Sequence, residues 1–256
     1  MTRLRVAARG ARLVVHLLYG LLLCAAVKLD ASGRLGARRE RLTQHWCQHL
    51  LRILGLRVRI RGRVAAGARM TVANHVSWLD IPLIAACEPT RFVAKSEIRH
   101  WPVAGWLANA AGTFYIRRGK GGARPLLDKL APHLQRGGAI TVFPEGTTTD
   151  GREVLPFHAR LFAAPQAAGA VVQPVAIRYG LGLRGKPVAP FIGDDDLVRH
   201  ILRVLREPAL RIDVTYCAPI AAAGIERAQL AERAHAAVRH ALGLDAGDAT
   251  PDALAA

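Results

Sequence analysis

A histidine and an aspartate stand five residues apart in Asn74-His75-Val76-Ser77-Trp78-Leu79-Asp80, directly after the apolar run Met70–Ala73, which reads as a buried strand. Histidine needs only a small environmental shift to serve as a base near neutral pH. A carboxylate beside it can hold one ring nitrogen as N–H and leave the other free to accept a proton. No serine or cysteine lies in a strand-to-helix nucleophile elbow, so such a base would activate a hydroxyl belonging to a substrate. The plain alternative is a local hydrogen bond, because spacing alone does not establish geometry.

Five residues at 3.6 per turn do not share a helical face. The layout that brings the pair together is a strand, a turn carrying His75, and a helix with Asp80 in its first turn. Ser77 and Asp80 have the spacing of a capping box, which suits that placement. Pro82 removes a backbone donor close by and leaves the exact helix start open.

Two further segments carry chemistry. Gly112-Thr113-Phe114-Tyr115-Ile116-Arg117-Arg118-Gly119 reads as a strand running into two arginines and a turn, which could bring a guanidinium to a phosphate or simply end in solvated charge. Phe143-Pro144-Glu145-Gly146-Thr147-Thr148-Thr149-Asp150-Gly151 follows the apolar strand Ala139–Phe143. A loop at the carboxyl end of a strand is where α/β sheets place their sites. Glu145 there could hold a substrate hydroxyl or an active-site arginine, and amides around Gly146 could help bind an oxyanion; a turn that merely punctuates the fold is the other reading.

The surrounding elements alternate. Strands are expected at Leu56–Val64, Met70–Ala73, Arg91–Ala94, Thr113–Ile116, Ala139–Phe143, Val171–Arg178 and Arg211–Tyr216. Helices are expected at Arg39–Leu54, Ser77–Cys87, Glu97–Ala111 (interrupted near Pro102), Arg124–Gln135, Ala159–Ala168 and Ile225–Leu242. This alternation predicts an α/β fold: a mixed, largely parallel sheet flanked by helices, with an N-terminal membrane-associated helical segment. The division expected is 1–54 for membrane-anchoring and amphipathic helices, 55–243 for the catalytic domain, and 244–256 for a disordered tail.

The 256 residues carry 36 Lys plus Arg against 19 Asp plus Glu, a net charge of +17. That balance favours an acidic partner: anionic membrane lipid, a phosphorylated cofactor or an acidic carrier protein. Nucleic acid is not expected, since zinc-finger, RNA-binding aromatic and helix-turn-helix signatures are missing. Cys24, Cys47, Cys87 and Cys217 are dispersed, without metal-ligand spacing, as in a reducing compartment. Arg3, Arg5, Arg9 and Arg12 precede an apolar stretch, Leu13–Val27. Its fifteen residues would span only ~22 Å as a helix, short of a ~30 Å hydrocarbon core. The preferred reading is an uncleaved anchor in the cytoplasmic leaflet; a signal peptide and an ordinary packed helix are the alternatives.

Taken in order, the His75/Asp80 block, the Gly112–Arg117 block, Phe143–Thr147 and Val172-Gln173-Pro174-Val175-Ala176-Ile177 resemble the motifs of the glycerolipid acyltransferase family, whose best-known members are 1-acylglycerol-3-phosphate (lysophosphatidate) acyltransferases. The resemblance covers roughly Leu56 to Tyr216. It implies that His75 takes the proton of an acceptor hydroxyl attacking an acyl thioester, with Asp80 orienting the imidazole, and that no metal and no cofactor beyond the donor, acyl-CoA or acyl carrier protein, is required. It implies substrate-binding roles for Gly112, Phe114 and Arg117, for Glu145, Gly146, Thr147 and Thr148, and for Lys95, which matches an Ala-Lys pair frequent in the family. Pro174 would line the pocket. The expected acceptor is a lyso-lipid and the expected location the cytoplasmic face of a bacterial inner membrane.

Three positions depart from the family pattern. Lysophosphatidate acyltransferases usually continue Phe-Pro-Glu-Gly-Thr with an arginine, where this chain has Thr148. Loss of that guanidinium would remove a charge-assisted contact worth ~1.5–3 kcal/mol if buried. In Pro156-Phe157-His158-Ala159-Arg160, His158 and Arg160 replace the family's lysine and glycine. Thr-Thr-x-Asp-Gly is more similar to acyltransferases that use lyso-ornithine lipid or other headgroups. Lysophosphatidate remains the acceptor the family resemblance implies by default, and lyso-ornithine lipid is the close alternative that these departures raise. A thioester or ester hydrolase and a non-catalytic lipid-binding protein are the rivals from other classes.

Overall fold

The computed structural model describes residues 2–30, 32, 38–116 and 124–244. Arg117, and the tail beyond Leu244 expected to be disordered, lie outside the described residues.

Eight strands form one sheet: β1 Leu56–Arg61, β2 Arg69–Ala73, β3 Arg91–Lys95, β4 Phe114–Ile116, β5 Ala139–Val142, β6 Val171–Tyr179, β7 Leu210–Tyr216 and β8 Ile220–Ala221. Their order is β1-β7-β6-β2-β5-β3-β4, with β8 beside the start of β6. From β6 to β4 every neighbour is parallel; β7 runs antiparallel to β6 and parallel to β1. The fold is the mixed, largely parallel α/β sheet expected from the alternation.

Period-two alternation sorts the core onto the sheet's two faces. On the first, Ala73, Val175, Ile177, Leu210, Ile212 and Val214 pack against α2 (Arg39–Leu54), α3 (Asp80–Cys87) and α7 (Leu197–Arg206). On the second, Met70, Val72, Ile140, Val142 and Val172 meet α5 (Arg124–Gln135), α6 (Ala163–Ala168) and α8 (Arg227–Ala241). A short α4, Ala104–Ala110, follows a 3₁₀ turn at Ser96–His100. At the amino end of β2, the Arg69 guanidinium and the Thr71 hydroxyl converge on buried Glu88, at 2.7 and 2.8 Å, and tie β2 to the end of α3.

Several expectations change. Leu197–Arg206, where the alternation assigned no element, is a helix: Asp196 caps it by accepting the Arg199 amide at 2.8 Å. The capping box at Ser77 does not form. α3 starts at Asp80, and the Ser77 hydroxyl has no partner. Only the reverse half of the motif is present, Asp80 reaching back to the amides of Val76 and Ser77.

The N-terminal segment is also longer than its apolar stretch. α1 runs Thr2–Leu29, 28 residues, long and apolar enough by length and composition to cross a membrane. The arginines at 5, 9 and 12 continue the helix rather than precede it. Arg5 donates to the Arg206 carbonyl at 2.9 Å, and Arg9 to those of Glu207 and Pro208 at 2.6 and 2.9 Å. His16 stacks on Trp46 at 4.6 Å, its Nε2 3.0 Å from the Trp46 carbonyl, while the Trp46 indole donates back to His16. Gly20 permits this approach, since a Cβ there would lie 2.7 Å from Trp46 Nε1. Leu4, Val14, Val15, Leu18 and Leu22 on the same helix are exposed.

Candidate active site

β2 and β5 are neighbours whose connections leave in opposite directions. The chain from β2 travels through α3 on the first face to β3; the chain from β5 travels through α6 on the second face to β6. Such a reversal opens a crevice at the carboxyl ends of the two strands. His75 emerges from one strand and Glu145 from the other.

Asn74 governs the exit. Its side-chain amide donates to the Ile177 carbonyl at 3.0 Å, and its Oδ1 accepts the Ile177 N–H at 2.7 Å. The amide thus continues the β2–β6 ladder in place of the backbone, which is released to turn at His75. His75 Nδ1 lies 2.8 Å from Asp80 Oδ2. Asp80 is wholly buried, and four donors converge on it: His75 Nδ1–H, the amides of Val76 (2.7 Å) and Ser77 (2.9 Å), and the Tyr179 hydroxyl (2.7 Å). With every contact spent accepting, the carboxylate assigns the proton of the pair to Nδ1 and leaves Nε2 as the basic nitrogen. Phe143 stacks on the imidazole at 4.1 Å and 14°, fixing the ring plane.

Glu145 stands on the loop at the carboxyl end of β5 and reaches across to the His75 turn. Its Oε1 accepts the His75 amide at 2.6 Å and its Oε2 the Leu155 amide at 2.8 Å. Both oxygens are turned inward, and the residue is 4% exposed. Burial pushes its carboxyl up to about 6, against the opposing pull of those two amides. The carboxylate clamps the two loops together through those two amides. Thr149 strengthens the clamp by donating its amide to the His75 carbonyl at 2.8 Å.

The sequence profile of the family described as Acyltransferase matches residues 56–178. A lyso-ornithine lipid O-acyltransferase of Pseudomonas aeruginosa is 45% identical over 94% of this chain and 95% of its own length. The chain belongs to the acyltransferase family. A 1-acyl-sn-glycerol-3-phosphate acyltransferase of Neisseria gonorrhoeae is 36% identical over 69% of this chain and 70% of its own length. The crystal structure of the 1-acyl-sn-glycerophosphate acyltransferase of Thermotoga maritima has the same fold, with a TM-score of 0.72 at 20% identity, covering 98% of this chain and 100% of that one.

Within this acyltransferase, the other expected site residues divide into two groups. Thr147 and Thr148 lie on the crevice loop, Thr147 exposed and Thr148 donating its hydroxyl to the Phe191 carbonyl at 2.6 Å. Gly146 takes the left-handed backbone (φ 72°) that the tight turn requires, and its amide donates to the Phe143 carbonyl at 3.1 Å, so that amide closes the turn instead of facing an oxyanion. Lys95 is exposed at the carboxyl end of β3, paired in register with Ile116. Pro174 is buried within β6, opposite Val72.

Gly112 and Phe114 stand away from the crevice. Gly112 (φ 76°) ends the turn after α4, at the amino end of β4, where a Cβ would lie 3.1 Å from Arg39 Nη1. Phe114 packs into the second-face core, its ring 5.5 Å from that of His133.

The sequence reading missed four participants. Tyr179 completes the shell of Asp80, and burial beside that carboxylate raises its phenol well above its ordinary value. Trp78 donates to His200 Nδ1 at 3.0 Å, and His200 Nε2 faces the Ala189 carbonyl at 2.9 Å. Phe191 bonds its amide to the Val76 carbonyl at 3.0 Å and accepts from Thr148, so the segment before α7 is tied to both crevice loops. Only Tyr179 carried a readable signal, a polar aromatic at the carboxyl end of a strand.

Proposed function

We propose that this acyltransferase moves a fatty acyl group from a thioester, acyl-CoA or acyl carrier protein, to the hydroxyl of a lyso-lipid, with lyso-ornithine lipid as acceptor. The observation that carries the chemistry is the His75–Asp80 pair, in which a fully engaged carboxylate holds Nδ1–H and Nε2 is left to accept a proton. The lipid oxygen attacks the thioester carbonyl while Nε2 takes its proton. The tetrahedral intermediate collapses by breaking the C–S bond, and the departing thiolate recovers the proton from Nε2. Asp80 stabilises the imidazolium formed between these two transfers.

The order of acceptors is the reverse of the family default. Thr148 stands where an arginine would meet a phosphate, and its hydroxyl is already committed to Phe191. Lyso-ornithine lipid carries an ammonium and a carboxylate in place of a phosphate, so it has less need of that guanidinium. Relatives named lyso-ornithine lipid O-acyltransferases, at 45% and 36% identity over 94% and 93% of this chain, favour the same reading. Lysophosphatidate is the second reading, supported by the Neisseria relative. The exposed apolar side of α1 and the net positive charge suit an enzyme held at an anionic membrane surface, the cytoplasmic face of a bacterial inner membrane, with residues 55–243 as the catalytic unit.

The test is thiol release by the purified protein with each donor and a panel of lyso-ornithine lipid, lysophosphatidate and lysophosphatidylcholine. Release that requires a lyso-lipid and is fastest with lyso-ornithine lipid is the expected result. Release without any acceptor would mean a hydrolase, and no release with either donor would favour a binding protein.

A further inference from the structure

Among the described residues, α8 packs on β6, where the Arg178 guanidinium donates to the Leu242 carbonyl at its end, and leaves the β7–β1 end of the second face uncovered. The side chains that alternate onto this open face are Arg57, Arg59 and Arg61 of β1, Arg211 of β7 and Arg178 of β6. In register, Arg57 stands opposite Arg211, and Arg59 opposite Asp213, which in turn stands opposite Arg178. All five arginines are exposed. Among the described residues Arg57, Arg59, Arg61 and Arg211 form no ion pair, and Asp213 is the one acid within the grid. Like charges placed directly across a strand pair destabilise it, so the Arg57–Arg211 pairing is a cost to the fold. Blunting the β1 edge against aggregation does not account for it, because Arg211 and Arg178 belong to interior strands.

We propose that this arginine grid is the docking surface for an acidic acyl carrier protein. The inference rests on the thioester-donor part of the proposed function. Two strand spacings by four residues make a patch of roughly 10 by 13 Å, the length of about nine residues of a partner's helix. One negatively charged helix therefore matches it. The Arg57–Arg211 row lies level with Gly180, whose amide donates to the Arg211 carbonyl at 2.9 Å. That is the same end of the sheet as His75, with β7 two strands, roughly 10 Å, from β2. A carrier docked here would have its thioester arm beside the crevice. A lipid surface is the poorer match, since α1 packs on α2 and α7, across the opposite face of the sheet. A membrane holding α1 would leave the arginine grid turned away from it, toward a soluble partner.

The test compares the full chain with Arg57→Glu/Arg211→Glu and with the charge-keeping Arg57→Lys/Arg211→Lys, using one acyl chain on carrier protein and on CoA. In the reversed variant KM for the acyl carrier protein should rise on the order of tenfold or more, and its salt dependence should flatten. KM for acyl-CoA should change less than about twofold, and the lysine variant should keep most of the parental KM. Binding of the unacylated carrier protein to immobilised enzyme, measured without any reaction, should fall in parallel. An unchanged KM and unchanged carrier binding would overturn the proposal, as would an equal loss with both donors. So would a variant that loses affinity for anionic vesicles or duplex DNA and keeps its affinity for the carrier. Absence of transfer to any lyso-lipid would instead sink the functional reading, while the binding measurement would still decide the surface.

Discussion

The Tyr179 hydroxyl donates to Asp80 Oδ1 at 2.7 Å, on the carboxylate oxygen that His75 does not use. Tyr179→Phe keeps the ring and removes this donor, leaving one oxygen of a buried carboxylate short of a partner. A hydrogen bond to a charged group is worth about 1.5–3 kcal/mol. If that loss falls on the step that forms the imidazolium, kcat should drop at least about tenfold with a near-parental circular dichroism spectrum. A kcat within about twofold of the parent would show that Tyr179 is only packing.

His75→Ala should lower kcat by about 10²–10⁴-fold with little change in melting temperature, because the ring is held by Phe143 and Asp80 at the crevice edge and not in either core. Asp80→Asn should cost both activity and stability. The amide it introduces would point a donor at groups that already donate, and burial leaves no water to relieve the conflict. A His75→Ala enzyme with near-parental turnover would remove the base from the mechanism.

Thr148→Arg should lower KM for lysophosphatidate relative to lyso-ornithine lipid, by about tenfold if the guanidinium reaches the phosphate. The substitution also breaks the bond to the Phe191 carbonyl, so some loss of kcat with every acceptor is expected. An acceptor profile identical to the parent's would show that this position does not read the headgroup.

His200 should give stability an acid limb. Burial lowers its pKa below the ordinary 6.5, and the neutral ring accepts from Trp78 and donates to Ala189. As pH falls through 6.5, the unfolded chain takes up a proton that the folded chain refuses, so the native state loses stability from there down to the folded pKa. Urea unfolding at several pH values should show this slope in the parent and a shallower one in His200→Gln. Identical slopes would refute the assignment.

Gly20→Ala should disturb the docking of α1. The added Cβ meets Trp46 Nε1 at 2.7 Å, and relieving the clash should cost about 1–3 kcal/mol. The expected readouts are a shift in tryptophan fluorescence and faster proteolysis between α1 and α2, with turnover in detergent largely kept. Unchanged cleavage and fluorescence would mean that the docking of α1 does not depend on the missing Cβ at Gly20.

Much of the architecture was legible because it is local. Alternating apolar runs marked most of the strands, and helical periodicity gave Arg39–Leu54 and Arg124–Gln135 at their observed bounds. Leu197–Arg206 carries the same kind of signal, in its apolar spacing and the Asp196 cap. What could not be read depends on partners distant in sequence. That Glu145 spans from the amide of His75 to that of Leu155 is set by segments 70 and 10 positions away. Gly112 sits beside Phe114 in the same motif, yet at the end of β4 remote from the crevice. Tyr179 joins Asp80 across 99 positions of chain.

The ladder made by the Asn74 amide also sets a clock on biosynthesis. Its partner Ile177 follows it by 103 residues, which a ribosome adds in roughly 5–20 s. Throughout that interval the nascent chain carries His75 and Asp80 without the strand that disciplines their turn. On the proposed mechanism the base is therefore assembled only when the sheet is nearly complete.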